Sequence, residues 1–190
     1  MKFTPVVYES GKHGERGYDL YSNLLKSRTI WIGGCIDEDL GNIISTSILY
    51  LRQTKGDITI FINSPGGYVS EGLAIYDAIK SFDGGVVNTR CIGQACSMAV
   101  PILAAGTKGN RFIYPNARVM IHQPSGGTSG RSTDIEVYAN EIAHTRKLLD
   151  DILVSETKIK AKDIRNYTNS DKYIGADEAI ELGIVDNKWK

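Results

Sequence analysis

The apolar positions alternate between two periods. Thr29-Ile30-Trp31-Ile32 is β-branched and aromatic and predicts a strand. Over residues 37–53, Leu40, Ile43, Ile44, Ile48 and Leu51 recur at helical spacing and predict one buried helix face. Asp57-Ile58-Thr59-Ile60-Phe61-Ile62 predicts a second strand, ending at Asn63-Ser64-Pro65-Gly66-Gly67. Leu73, Ile75, Ala78 and Ile79 predict a helix over residues 70–82. Residues 86–92 read as a third strand broken by Gly93, followed by a helix of small residues at about 97–105. Residues 118–122 read as a fourth strand. Upstream, Tyr18, Tyr21, Leu24 and Leu25 mark a short amphipathic helix. Residues 9–17 mix charge with Gly and read as a mobile loop.

Strand–helix alternation implies an α/β fold with largely parallel strands. In such sheets ligands sit at the carboxyl ends of the strands. Those ends carry Ser64-Pro65-Gly66-Gly67, Gly93-Gln94-Ala95-Cys96-Ser97 and His122-Gln123-Pro124-Ser125-Gly126-Gly127. The last third differs. Residues 133–156 lack Gly and Pro and predict one helix roughly 36 Å long at ~1.5 Å per residue. Ile135, Tyr138, Ile142, Leu149 and Ile152 repeat at three-and-four spacing, with Thr145 the polar member. Such a helix either packs on its own sheet or projects and packs on a second copy.

Composition narrows the function classes. The chain has 190 residues, 42% hydrophobic and 23% charged, as expected of one globular domain. Lys+Arg and Asp+Glu both number 22. The resulting zero net charge argues against polyanionic partners and leaves self-association open. The three cysteines, Cys35, Cys91 and Cys96, form no CxxC pair, so reduced, buried thiols are expected rather than disulfides or a metal site. The start of the chain lacks a signal-peptide pattern, and the apolar run at residues 99–105 falls far short of about 20, so a location without a membrane span is expected, the cytoplasm first and an organelle matrix as the alternative.

Of the histidines, His13 and His144 read as solvated. His122 ends an apolar strand at the sheet rim. Ser97 lies where a strand turns into a helix; it reads either as an N-cap or as a nucleophile beside the free N–H groups of a first turn. Gly93 precedes Ser97 by four positions, so this is not the GxSxG elbow. A serine nucleophile needs a base, an orienting carboxylate and oxyanion donors. His122 supplies a base. Met98 and Gly66-Gly67 offer backbone N–H groups, although Gly66-Gly67 also reads as a plain turn. For the carboxylate, Asp134, Asp150 and Asp151 read as solvated and helical, whereas Asp171 precedes a short apolar step and can fold back onto the sheet.

These residues resemble the family of the proteolytic subunit of ATP-dependent Clp proteases (ClpP family). The stretch from Gly14-Glu15-Arg16-Gly17 to Leu24-Leu25-Lys26 is similar to the family's GER-x-x-D-I-Y-S-x-L-L-K. Ile62-Asn63-Ser64-Pro65-Gly66-Gly67 matches its INSPGG. Gly93-Gln94-Ala95-Cys96-Ser97-Met98 resembles its nucleophile segment, Val119-Met120-Ile121-His122-Gln123-Pro124 its histidine segment, and Asp171 to Asp186 its carboxylate segment and C-terminal helix.

The resemblance implies a ClpP/crotonase-like repeated ββα spiral with a projecting handle helix. It divides one peptidase domain into an axial segment (1–17), a head (18–130), a handle region (131–168) and a C-terminal head segment (169–190). It implies a serine endopeptidase with Ser97 as nucleophile, His122 as base and acid, Asp171 orienting the imidazole, and Gly67 and Met98 as oxyanion donors. Substrate would lie extended between the strand after Gly67 and residues 123–127, touching Gly66, Val69, Gln123, Pro124, Ser125 and Gly126. The implied assembly is two stacked heptameric rings fed with unfolded polypeptide by an AAA+ unfoldase. No metal or cofactor is expected on this chain, because ATP is used by the unfoldase.

The sequence departs from the family pattern at Cys96, where Ala is usual, and at Ser125, where Leu is usual and the change predicts a more polar cleft. Residues 99–101 are less Gly-rich than typical, the loop at 53–56 is shorter and that at 83–85 longer. Two other readings compete: a catalytically silent ring subunit of a mixed barrel, which the intact Ser97, His122 and Asp171 oppose, and a crotonase-like acyl-CoA enzyme, for which no basic CoA site is visible.

Overall fold

The structure, a computed structural model, describes residues 4–11 and 14–189. The chain opens on an antiparallel ribbon, β1 (Val6–Gly11) and β2 (Gly14–Asp19), where a mobile loop was expected. Backbone pairing of Val7 with Tyr18 and Glu9 with Arg16 holds this segment, which carries no apolar period to announce it. His13 lies outside the described residues. Helix α1 (Leu20–Lys26) starts two residues later than its apolar spacing predicted, because the Asp19 carboxylate caps it by accepting from the Tyr21 and Ser22 amides.

Three strand–helix units follow: β3 (Thr29–Gly33) with α2 (Glu38–Arg52), β4 (Ile58–Ser64) with α3 (Val69–Lys80), and β5 (Val87–Cys96) with α4 (Ala99–Ala104). Asp37 caps α2 through the Leu40 amide. Beyond them come β6 (Arg111–Ile113), β7 (Arg118–Ile121), α5 (Ser132–Glu156), α6 (Ile164–Thr168), β8 (Lys172–Ile174), α7 (Ala176–Glu181) and β9 (Asn187–Lys188). The strand order is β3-β4-β5-β6-β9, with β7 paired to both β5 and β8. Every pair in this sheet is parallel except β7 with β8. This is the expected α/β spiral of repeated strand–helix units.

Strand β5 does not break at Gly93. Its first half pairs with β6 and its second half, Gln94 to Cys96, with β7. Gly93, at φ +73°, supplies the bend between them, and a Cβ there would lie 2.7 Å from the Asn63 side chain. Glycine therefore redirects the strand instead of ending it.

The core forms where the two periods agree. Ile58, Ile60 and Ile62 of β4 alternate inward and meet Ile48 of α2 and Ile75 and Ile79 of α3. Each such side chain stabilises the fold by about 1.5–3 kcal/mol when buried. Ile43, expected on the inward face of α2, is 60% exposed, because the buried face of the helix runs along Gly41, Ile44, Ile48 and Leu51. Cys91 and Cys96 are buried as expected, but Cys35 is exposed. No helix among the described residues is long and apolar enough to cross a membrane.

Helix α5 projects. Residues 131–141 are all exposed, including Ile135, Val137 and Tyr138, and the buried positions are Asp150, Ile152, Leu153 and Glu156 near its end. Its root is fastened by polar groups. Glu156, 6% exposed, accepts from Tyr76 Oη at 2.8 Å and pairs with Lys80 at 2.8 Å. Arg111, 4% exposed, donates from Nη1 to the Glu156 carbonyl at 2.7 Å and from Nη2 to the Asp186 carboxylate at 2.6 Å.

Burial alone would raise the Asp186 pKa, but the hydrogen bonds from Arg111 outweigh it and hold the carboxyl below its usual range. A depressed folded-state pKa stabilises the fold above the unfolded value of ~3.9, and that stabilisation is lost as pH falls through the folded value. Asp186→Asn should therefore cost about 3 kcal/mol at pH 7 by stranding the buried guanidinium. The gap between variant and wild type should narrow below pH ~4. Urea unfolding at pH 7 and pH 3 checks this, and an equal gap at both would contradict it.

Candidate active site

Three parallel strands deliver their carboxyl ends to one rim. After β4, Ser64 Oγ donates to the Gly34 carbonyl at 2.7 Å and accepts from the Gly66 amide at 3.0 Å, which folds Ser64 to Gly67 into a tight turn. Gly66 sits at φ +93°, and a Cβ there would lie 2.6 Å from the Cys96 carbonyl oxygen and 2.7 Å from Ser97 Cβ. Gly67 bridges to Ile36 in parallel fashion, and α3 begins at Val69, so no strand follows Gly67 as expected. In that bridge the Ile36 amide donates to the Gly66 carbonyl and the Tyr68 amide to the Ile36 carbonyl.

After β5, Ser97 adopts φ +53°, a strained left-handed conformation for a residue with a Cβ. Its amide donates to the Met120 carbonyl of β7 at 2.8 Å. Helix α4 starts at Ala99 with Met98 in the N-cap position, so Ser97 is not the N-cap. It stands outside the helix with its hydroxyl turned toward the rim. Among the described residues, neither the Gly67 nor the Met98 amide donates to a protein acceptor. The Cβ position at Gly66 lies 3.0 Å from the Met98 nitrogen, so the turn after β4 packs directly against the start of α4 beside Ser97.

Strand β7 ends at Ile121, one residue before His122. Its parallel register with β5 sets Cys96 opposite Met120, and its antiparallel register with β8 sets Ile121 opposite Lys172. These two pairings bring residues 97, 122 and 171 to one place. His122 Nε2 lies 2.7 Å from Ser97 Oγ, and His122 Nδ1 lies 3.0 Å from Asp171 Oδ1. The Asp171 carboxylate is 58% exposed and the imidazole 27%. With Nδ1–H donating to the carboxylate, Nε2 accepts the serine hydroxyl proton.

The other carboxylates are placed elsewhere. Asp134 pairs with Arg131 and Asp151 with Lys147, both exposed. Asp150, expected to be solvated, is buried, with Thr168 Oγ1 donating to it at 3.3 Å. His144 is exposed, as read from the sequence.

A sequence model of the Clp protease family matches residues 12–189 of the 190-residue chain. The chain belongs to the Clp protease family. It is therefore a peptidase-family chain, and the family assembles with Clp-type partners in general.

In this Clp protease fold a small cleft of about 30 Å³ opens beside Ser97 and His122. Apolar side chains line it: Val69, Val100 and Pro101 from the helix starts, Ile121 and Pro124 around His122, and Leu149 and Leu153 from α5. Val69 and Pro124 stand where the substrate was expected. Ser125 is exposed and is not among the residues that line this cleft. Gly126 is exposed and approaches α5, since a Cβ there would meet Tyr138 Oη at 2.7 Å. The Gln123 amide donates to the Thr168 carbonyl at 2.6 Å and is thus committed within the chain, not offered to a substrate strand. Of the lining residues that sequence reasoning missed, Leu149 and Leu153 lie on the stretch of α5 whose apolar repeat was visible.

Cys96 adjoins the candidate nucleophile, but burial pushes its thiol pKa up, and burial carries the Cys91 thiol up to about 12. Both thiols stay protonated near neutrality, which leaves the hydroxyl as the group poised for attack. A larger cavity of about 430 Å³ lies between α1, β3 and α2, lined by Tyr21, Leu25, Trp31 and Ile43, and carries none of these groups.

Proposed function

We propose that this chain is the proteolytic subunit of an ATP-dependent Clp protease, a serine endopeptidase acting on unfolded polypeptide inside a barrel of two stacked heptameric rings. One observation carries the reading: the hydrogen-bond chain from Ser97 through His122 to Asp171, with the Gly67 and Met98 amides open beside it. In this mechanism Ser97 Oγ attacks the scissile carbonyl carbon while His122 Nε2 takes its proton. Negative charge gathers on the carbonyl oxygen, where the two amides donate to it. His122 then passes the proton to the leaving amine, and an acyl-serine remains. Water repeats the sequence, with His122 again as base, and frees Ser97. Asp171 holds the imidazole in one tautomer and stabilises its charged form.

The exposed apolar residues of α5, Ile135, Val137 and Tyr138, favour contact with a second ring. An AAA+ unfoldase delivers the substrate and consumes the ATP, so this chain itself needs no cofactor or metal. The location that fits this role is the cytoplasm.

A fluorophosphonate should label the native assembly once per chain, at Ser97, as read by peptide mass mapping. Fluorogenic peptides with apolar residues before the scissile bond should be cleaved faster than those with charged ones, because apolar side chains line the cleft beside Ser97. An assembly that labels nowhere and cleaves nothing would leave the silent-subunit reading standing.

A further inference from the structure

Asp171 is held unusually lightly for a group that must fix an imidazole. Its carboxylate is 58% exposed, and among the described residues it accepts from His122 alone. Its position must therefore come from the chain on either side. On one side β8 pairs with β7. On the other, the turn after α6 is gripped from two directions. Gln123, next to His122, donates its amide to the Thr168 carbonyl at 2.6 Å and its Nε2 to the Asn169 carbonyl at 3.0 Å. From helix α5, Arg146 Nη2 donates to Asn169 Oδ1 at 2.6 Å, and Asp150, one turn further on, accepts from Thr168 Oγ1 at 3.3 Å.

We propose that Arg146 and Asn169 form a clip that positions the Asp171 carboxylate against His122, making both positioning residues for peptide hydrolysis. The proposal rests on the serine peptidase reading. Its physical basis is the strength of a charge-assisted bond to a fixed helix, set against the freedom of an exposed turn. Asn169 precedes Asp171 by two residues, so its orientation sets the direction in which the chain enters that position. Gln123 ties the same turn to the histidine segment, and Asn169 thus joins three elements: α5, the strand end that carries His122 and the approach to β8. Because the clip acts through geometry alone, its loss should slow the chemical step and leave substrate affinity in place.

The test uses the assembled protein with Arg146→Met, Arg146→Lys and Asn169→Ala. Arg146→Met should lower kcat about 10- to 100-fold, the scale of a small misplacement, with KM changed less than about twofold. Arg146→Lys, which keeps a charged donor, should recover most of that loss. Asn169→Ala removes the same bond from an exposed side chain that no core packing depends on, and should match Arg146→Met. A second readout is independent of turnover: the downfield proton resonance of His122 Nδ1–H, assigned with His122→Ala, should weaken in Arg146→Met and return in Arg146→Lys. Wild-type kcat and resonance in both Arg146→Met and Asn169→Ala would overturn the clip, as would an Arg146→Lys no better than Arg146→Met. Fluorophosphonate labelling of wild-type Ser97 tests the peptidase reading separately. Were that to fail, the resonance alone would decide the clip.

Discussion

Ser97→Ala should reduce the kcat for a fluorogenic peptide by roughly ten thousand-fold or more, while the assembled mass and melting temperature stay at wild-type values. The substitution isolates the hydroxyl. Ser97 sits at φ +53°, and alanine bears the same left-handed strain, since it also carries a Cβ. A Cβ at Gly66 would meet Ser97 Cβ, an atom that alanine keeps, so the close approach of the turn is unchanged. Only the Oγ, 2.7 Å from His122 Nε2, is removed. The neighbouring thiol cannot stand in, because burial keeps Cys96 protonated near neutral pH. Residual turnover above about a tenth of wild type would place the nucleophile elsewhere, since no triad survives loss of its nucleophile that well.

Gly67→Ala should have the second-largest effect, and on two measurements at once. A Cβ at this position would lie 2.2 Å from the Ile36 carbonyl oxygen and 2.6 Å from the Ile36 nitrogen. Neither is the end of a flexible side chain, so one backbone segment must move away from the other and break the bridge they share. On the proposed mechanism the Gly67 amide is then displaced from the carbonyl oxygen it serves. Loss of one oxyanion donor costs about 100- to 1,000-fold in kcat. Separating the two segments should also lower the melting temperature. Gly175→Ala is the control, since nothing lies within 4 Å of its added Cβ. Wild-type melting and turnover in Gly67→Ala would show that the turn tolerates a side chain and would overturn this prediction.

The alternating periods carried the architecture well, because both strand faces and helix stripes leave local marks. β3, β4, α2, α3 and α5 all appeared within one or two residues of their predicted ends. Elements made by partners instead of patterns did not. The ribbon of β1 and β2 has only backbone pairing to define it, and β6, β8 and β9 are two or three residues long. Ile43 fits the helical stripe by spacing, yet the buried face of α2 runs along Gly41, Ile44, Ile48 and Leu51. At the site, residue types and strand ends pointed to Ser97 and His122. Asp171 stood among several carboxylates until β8 paired with β7. What no local pattern could carry was the role of Asn169 and Arg146, whose contact spans 23 positions and depends on where α5 lies. Asp150 shows the same limit. It sits on a helix with polar neighbours, and it is the fold that buries it against Thr168.

The antiparallel pairing of β8 with β7 also imposes an order in time. A ribosome releases Gly67, Ser97 and His122 well before Asp171, at about 5–20 residues per second. β8 cannot join the sheet until residues 172–174 have emerged. A growing chain can thus fold its first strand–helix units and display the serine and the histidine for several seconds with no carboxylate behind them. On the proposed mechanism, such a chain is harmless to itself and to its neighbours. On that mechanism the last partner to arrive acts as a built-in safety catch.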